Sequence, residues 1–180
     1  MSATIDLVDA PDVSIVVPVY RSAPIMPRLC DAIEQVVAGA GFAGRFELVL
    51  VCDAGPDDSW RVITGLAEAR PFVLGVNLRR NAGQHNATMA GLARARGRQI
   101  VVMDDDLQHP PSFIPALLAE LDRGYDACYT RYRHRQHAWW KKLGSRINDM
   151  AATLLLGKSK GLYLSSFKAM DRGVVIEIIK

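Results

Sequence analysis

Three consecutive aspartates, Asp104-Asp105-Asp106, follow the apolar run Ile100-Val101-Val102-Met103 and precede Leu107-Gln108-His109-Pro110-Pro111. Adjacent carboxylates repel one another, and a bound cation relieves that cost. Oxygen-only donors suit Mg²⁺ or Mn²⁺, which keep several waters and bind substrate phosphates. On an extended chain Asp104 and Asp106 share a direction while Asp105 points elsewhere. An isolated Asp-x-Asp is more often a solvated turn before a helix. The strand before this one and the Pro-Pro helix start after it turn the reading towards a ligand site. Asp53, at the end of the apolar run Phe46–Cys52, can accept an N–H from a ligand or serve as the turn aspartate of Asp53-Ala54-Gly55-Pro56. Residue types alone favour the turn.

A second cluster is basic. Arg131, Arg133, Arg135, Lys141 and Lys142 surround Trp139-Trp140. Guanidinium groups match phosphate geometry, and tryptophan favours the membrane–water boundary. Trp140, Leu143, Ile147, Met150 and Leu154 share one helical face, opposite Lys141, Lys142, Arg146 and Asp149. That pattern describes an interfacial helix or a core helix with a solvated basic face, and the residues alone leave the two even.

The elements that must position these groups alternate. Val13–Val19 is a buried strand. Ile25, Leu29, Ala32, Ile33, Val36 and Ala40 recur at helical spacing until Gly39 and Gly41. Phe46–Cys52 is a second strand. Ser59 caps a helix bearing Ile63, Leu66 and Ala67. Residues 73–78 form a third strand, and 86–96 a helix with Met89, Ala90 and Ala93 inward. Residues 100–103 form a fourth strand. Ser112 caps a helix with Leu117, Leu118 and Leu121, its Pro115 tolerated in the first turn. Residues 125–130 form a fifth strand. After the basic stretch a strand-like run, 162–167, precedes a helix capped by Asp171 and bearing Val174, Val175 and Ile178. The expected fold is α/β, a mostly parallel sheet with helices on both faces. In such sheets ligands bind beyond the carboxyl ends of the strands. That places residues 20–21, 53–58, 79–85, 104–108 and 131–135 at the ligand edge.

Composition excludes several classes. A chain of 180 residues that is 49% hydrophobic and 23% charged is globular rather than disordered. A net charge of +3 is too small to argue for nucleic acid. Cys30, Cys52 and Cys128 are too scattered for a disulfide framework or a metal knuckle and fit a reducing compartment. No run approaches the ~18 apolar residues of a membrane span, and the N-terminus lacks the features of a secretory signal. Gly157-Lys158-Ser159 lacks the earlier glycine of a phosphate loop, no GxGxxG follows the first strand, and His85 and His109 lack zinc-ligand spacing.

Four motifs together resemble the family 2 glycosyltransferases of GT-A fold. They are Val17-Pro18-Val19-Tyr20; Asp53-Ala54-Gly55 with Asp57 and Ser59; Arg80-Asn81-Ala82-Gly83-Gln84-His85 with Ala90-Gly91; and the triple-aspartate run through Pro111. Within that family the chain is similar to the polyprenyl-phosphate glycosyltransferases, such as dolichol-phosphate mannose synthase and its undecaprenyl-phosphate relatives. The resemblance runs from about Val13 to Lys180. It implies a tail over residues 1–12 and a GT-A catalytic domain over 13–180, ending before the family's C-terminal part. Pro18, Tyr20 and Asp53 would line the base pocket. Gly83 and Gln84 would underlie ribose and diphosphate, with Asp105 among the nucleotide contacts. Asp104 would contact ribose or metal, Asp106 would ligate the metal, and Gln108 would complete its protein ligands. Asp104 and Asp106 are thus the expected catalytic pair. The resemblance turns the basic cluster into a site for acceptor phosphate at Arg131, Arg133, Lys141 and Lys142, beside a membrane surface.

The function so implied is an inverting transfer, dependent on Mg²⁺ or Mn²⁺, of a sugar from a nucleotide diphosphate to a polyprenyl phosphate. It would take place at the cytoplasmic face of the membrane, with the chain peripheral and a UDP-sugar favoured over a GDP-sugar. The alternatives are transfer to a sugar or protein hydroxyl, which needs a carboxylate base not seen here, or a non-catalytic nucleotide-sugar binding module. The chain departs from its relatives where Arg21-Ser22 replace Asn-Glu and where Cys52-Asp53 keep only one of two aspartates. It departs again where Leu162-Tyr163-Leu164 stand in place of an acidic residue before Ser165-Ser166-Phe167.

Overall fold

Val13–Val19 and Phe46–Cys52 are apolar without alternation except at Ser14 and Glu47, the pattern of strands covered on both faces. In the computed structural model, which describes residues 10–130 and 166–180, both are seven-residue strands with every residue buried. These are β1 and β2. With β3 (Val73–Asn77), β4 (Gln99–Val102), β5 (Ala127–Tyr129) and β6 (Lys168–Asp171) they form one sheet in the order β3-β2-β1-β4-β6-β5. The pairs β1–β2, β1–β4 and β2–β3 are parallel, while β6 runs antiparallel to both β4 and β5. The described residues through Tyr129, together with 166–180, make one compact unit.

Helices cover both faces, as the apolar patterning requires. On one face α1 (Met26–Val37), α2 (Ser59–Ala69) and α4 (Ile114–Asp122) bury Leu29, Ile33, Ile63, Leu117 and Leu118 against Ile15, Val17, Leu48 and Leu50. On the other, α3 (Gln84–Leu92) and α5 (Arg172–Ile178) bury Ala87, Leu92 and Val175 against Val16, Val49, Val51 and Ile100. Alternate residues of a strand face opposite sides, so β1 and β2 feed both cores at once.

Several boundaries differ from the sequence expectation. Ser59 is the first residue of α2 and not its cap. Its hydroxyl donates to Asp57 Oδ2 at 2.8 Å and accepts the Ser22 N–H at 3.1 Å, so it joins two loops instead. Ser112 lies inside a 3₁₀ turn, Pro111–Phe113, that leads into α4 and makes no capping bond. Helix α3 begins at Gln84, two residues early, and Ala93 at its end is exposed while Ala87 and Gly91 face inward. The fourth strand ends at Val102 and the fifth is only Ala127–Tyr129. The last strand is Lys168–Asp171, after the expected run. Residues 162–165 lie outside the described residues, and Phe167 is core rather than strand. Pairing decides this placement, since Lys168 through Asp171 match Val102 back to Gln99. Asp171 does cap α5, accepting the Gly173 N–H at 2.8 Å.

A glycine sets how closely α3 lies on the sheet. A Cβ at Gly91 would overlap the Val16 side chain and come within 3.0 Å of Val51. Gly91→Ala should therefore lower stability by about 1–3 kcal/mol, the usual range for overpacking. Urea denaturation should show a reduced midpoint with an unchanged m-value.

Candidate functional site

The strand order reverses direction around β1, whose neighbours are β2 on one side and β4 on the other. A crevice opens at such a switch point, beyond the carboxyl ends of the strands. Here it is a cavity of about 330 Å³ lined by Pro18, Val19, Tyr20, Asp53, Asn81, Gly83, Gln84 and Asp104 to Asp106. The loops after β1, β2 and β4 each hold one non-glycine residue at positive φ: Arg21 (58°), Ala54 (49°) and Leu107 (56°). They are the only such residues among those described, and strain concentrated in ligand-facing loops is a functional signature.

Four carboxylates reach the cavity, and each has different partners. Asp53 is 3% exposed. Its Oδ1 accepts the Ala82 N–H at 2.7 Å and its Oδ2 the Gly83 N–H at 2.9 Å. It is thus more than the turn aspartate that residue types favoured, because it holds the loop that opens α3. Asp104 is gripped from two sides. Gln84 Nε2 donates to its Oδ1 at 2.5 Å and the Ser166 hydroxyl to its Oδ2, while His109 Nδ1 stands 3.7 Å from Oδ2. Asp105 Oδ2 accepts the Tyr20 N–H at 3.0 Å. Asp106 is exposed, and its Oδ1 accepts the Gln108 N–H at 3.0 Å.

The strand-alternation argument for Asp104 and Asp106 does not hold. Strand β4 stops at Val102, the chain leaves the sheet, and all three aspartates line the same cavity. Gln108 is exposed and is not among the lining residues. The expected acceptor residues Arg131, Arg133, Lys141 and Lys142, and Trp139 and Trp140, lie outside the described residues. Ser166 was not singled out by sequence. It meets Asp104 across 62 positions of chain, and no local pattern announces such a contact. Ser22, Ser59 and Asp57 tie the loop after β1 to the loop after β2, a link that the motif at Asp57 and Ser59 did not itself reveal.

The donor set can be tested against a divalent cation. No three His, Cys, Asp or Glu side chains among the described residues converge as a preformed cage. Mg²⁺ and Mn²⁺ do not require one, since one or two carboxylates with water and substrate phosphates suffice. Asp104 and Asp106, both oxygen donors on one cavity, fit an ion shared with a phosphate ligand. The same cavity takes in the first turn of α3, whose N–H groups without intrahelical acceptors and whose dipole favour an anion. Gly83, at φ 85°, turns the chain into that helix, a conformation that glycine adopts without cost.

The family model described as Glycosyl transferase family 2 matches residues 14–179. The undecaprenyl-phosphate 4-deoxy-4-formamido-L-arabinose transferase of Proteus mirabilis is 35% identical over 171 residues, 91% of this chain and 50% of that protein. Its counterpart in Enterobacter sp. (strain 638) is 37% identical over 165 residues, with the same coverage. The chain therefore spans about half the length of the curated relatives it matches. Among solved structures, a Pyrobaculum calidifontis mannosyltransferase in complex with GDP-Man and Mn²⁺ aligns with TM-score 0.65 at 19% identity. That alignment covers 96% of this chain and 48% of the other. Glucosyl-3-phosphoglycerate synthase from Mycobacterium tuberculosis with UDP aligns with TM-score 0.66 at 22% identity, covering 93% and 59%. The shared fold is the GT-A arrangement.

Burial raises the pKa of the Asp105 carboxyl above its ordinary 3.8, against the hydrogen bonds from Ser22 and Tyr20 that lower it, and the neighbouring Asp106 adds to the rise. The folded chain then holds this proton to higher pH than the unfolded chain does. Stability is lost as pH rises from about 4 through the raised value. Asp105→Asn keeps an acceptor for Tyr20 and does not titrate. In EDTA its Tm advantage over the wild type should grow with pH across that window and level off above it.

Proposed function

Because this chain belongs to glycosyl transferase family 2, we propose that it transfers a sugar from a nucleoside diphosphate donor to a polyprenyl phosphate, inverting the sugar's anomeric centre. The observation that carries this reading is the cavity at the switch point. It brings an aromatic ring, the start of a helix and four carboxylates to one cavity. Tyr20, 42% exposed beside Pro18, offers a face for the base. The first turn of α3 offers N–H groups to the diphosphate. Asp104 and Asp106 would hold Mg²⁺ or Mn²⁺, which would offset the negative charge that grows on a departing diphosphate; Gln108, outside the cavity lining, would join them only by turning inward.

The chain's own part is positioning. Gln84 and Ser166 fix both oxygens of Asp104, so that carboxylate is oriented before a ligand arrives. The acceptor also explains the lack of an evident base. A phosphate monoester with a second pKa near ~6 is largely dianionic at pH 7 and needs no group to remove a proton. The names of the relatives support undecaprenyl phosphate as the acceptor. UDP is our favoured base carrier. Arg131, Arg133, Lys141 and Lys142 would hold the acceptor phosphate at the cytoplasmic surface of the membrane. No described helix is long and apolar enough to cross it.

Two outcomes test the reading. In calorimetric titration UDP should bind in millimolar Mn²⁺ or Mg²⁺ and weaken sharply in EDTA. Asp106→Asn should remove most of that metal dependence, and Asp105→Asn less, because Asp105 is engaged by the Tyr20 amide. Equal losses at the two positions would refute the ligand assignment.

The acceptor side is tested separately. Neutral replacements at Arg131, Arg133, Lys141 and Lys142 should leave UDP binding intact and abolish transfer to undecaprenyl phosphate. Flotation with anionic liposomes should be weak and salt-sensitive, since each basic residue contributes only ~1 kcal/mol near such a surface. Transfer to undecaprenyl phosphate that survives the replacements would refute the basic cluster as the acceptor-phosphate site.

A further inference from the structure

Asp53 is the most enclosed carboxylate of the cavity, and its partners are all backbone. Its two oxygens accept consecutive N–H groups, those of Ala82 and Gly83. Its own N–H donates to the Val19 carbonyl at 2.9 Å, and the Leu78 N–H donates to the preceding Cys52 carbonyl at 2.9 Å. The backbone at Asp53 is therefore anchored at the ends of β1 and β2, and its side chain grips the segment that leads from β3 into α3. Asn86 Nδ2 adds a bond to the Ala82 carbonyl at 2.7 Å. With the Ala82 and Gly83 amides taken by Asp53, the donors left for an anion at this wall are the N–H groups of residues 84–86, which a helix start leaves without an intrahelical acceptor.

We propose that Asp53 is a positioning residue for the phosphate-binding wall: it holds the start of α3 in the cavity shared with the triple-aspartate run, and so governs affinity for the diphosphate moiety rather than choice of base. This rests on the donor reading above. A carboxylate that reads a base edge changes which base is preferred when altered. One that holds backbone amides changes affinity for every ligand that uses the same wall. Asparagine cannot replace it, since its amide would set an N–H against the N–H of Ala82 or Gly83.

The test is calorimetric titration of the full chain with UDP, GDP and inorganic pyrophosphate in Mn²⁺, at a temperature where circular dichroism shows each variant folded. Asp53→Ala and Asp53→Asn should both weaken all three ligands by a similar factor of at least tenfold, leaving the UDP-to-GDP ratio unchanged. Amide exchange at Ala82 and Gly83 should accelerate, while the amides of β1 and β2 stay protected. If Asp53→Ala fails to fold, Asp53→Asn, which preserves volume and one acceptor, decides alone. Loss of UDP affinity without loss of pyrophosphate affinity would overturn the positioning role in favour of a base contact. Unchanged affinity for all three would overturn it outright. A wild-type chain that binds none of them refutes the donor reading, and this proposal with it.

Discussion

One helix carries a wall of the cavity, and two carboxylates from a single strand hold it down. Asp53, just beyond β2, takes the amides of Ala82 and Gly83 before α3. Glu47, at the other end of β2, takes the Arg96 amide after α3 at 2.6 Å and its guanidinium at 2.8 and 2.9 Å. Between the two grips Gly91 lets the helix settle onto Val16 and Val51. Neither carboxylate faces open water, and an unpaired polar group in that position costs several kcal/mol. The helix cannot shift without leaving one of them unsatisfied.

The far end of the sheet shows the same economy. Ser14 is fully buried in β1, donates to Glu47 Oε1 at 2.6 Å, and accepts the Gly97 N–H at 2.7 Å. Arg172 at the start of α5 donates to the Ala95 carbonyl at 2.8 Å. A buried serine, a buried glutamate and the α3–β4 turn thus form one satisfied network, which leaves the opposite edge of the sheet to be strained and open. Among the described residues, backbone strain at Arg21, Ala54 and Leu107 sits only on the cavity side.

Division of labour among the four cavity carboxylates follows from their partners. Asp53 and Asp105 accept backbone amides and shape the walls, and Asp104 is oriented by side chains from two distant segments. Asp106, exposed and bound only to the nearby Gln108 amide among the described residues, keeps the most capacity for a ligand. Crowding negative charge in this way disfavours the ligand-free state and favours cation binding.

Much of this was legible in the chain itself. Near-continuous apolar runs set β1 and β2 at their observed limits, because strands buried on both faces read this way. The cluster at Asp104 to Asp106 pointed to the edge of the sheet where the cavity lies, since adjacent carboxylates after an apolar strand repel one another. Local spacing did not carry the rest. Strand β6, Lys-Ala-Met-Asp, has no apolar run of its own, and its antiparallel place between β4 and β5 comes from pairing. The hydroxyls of Ser59 and Ser112 suggested caps, yet one was claimed by a tertiary partner and the other lies in a 3₁₀ turn. Asp53 finds its amides 29 and 30 positions away, Glu47 finds Arg96 at 49, and Asp104 finds Ser166 at 62. Those distances close only when the sheet order β3-β2-β1-β4-β6-β5 is formed. Residue types state which groups must be satisfied, and the folded topology alone decides which groups satisfy them.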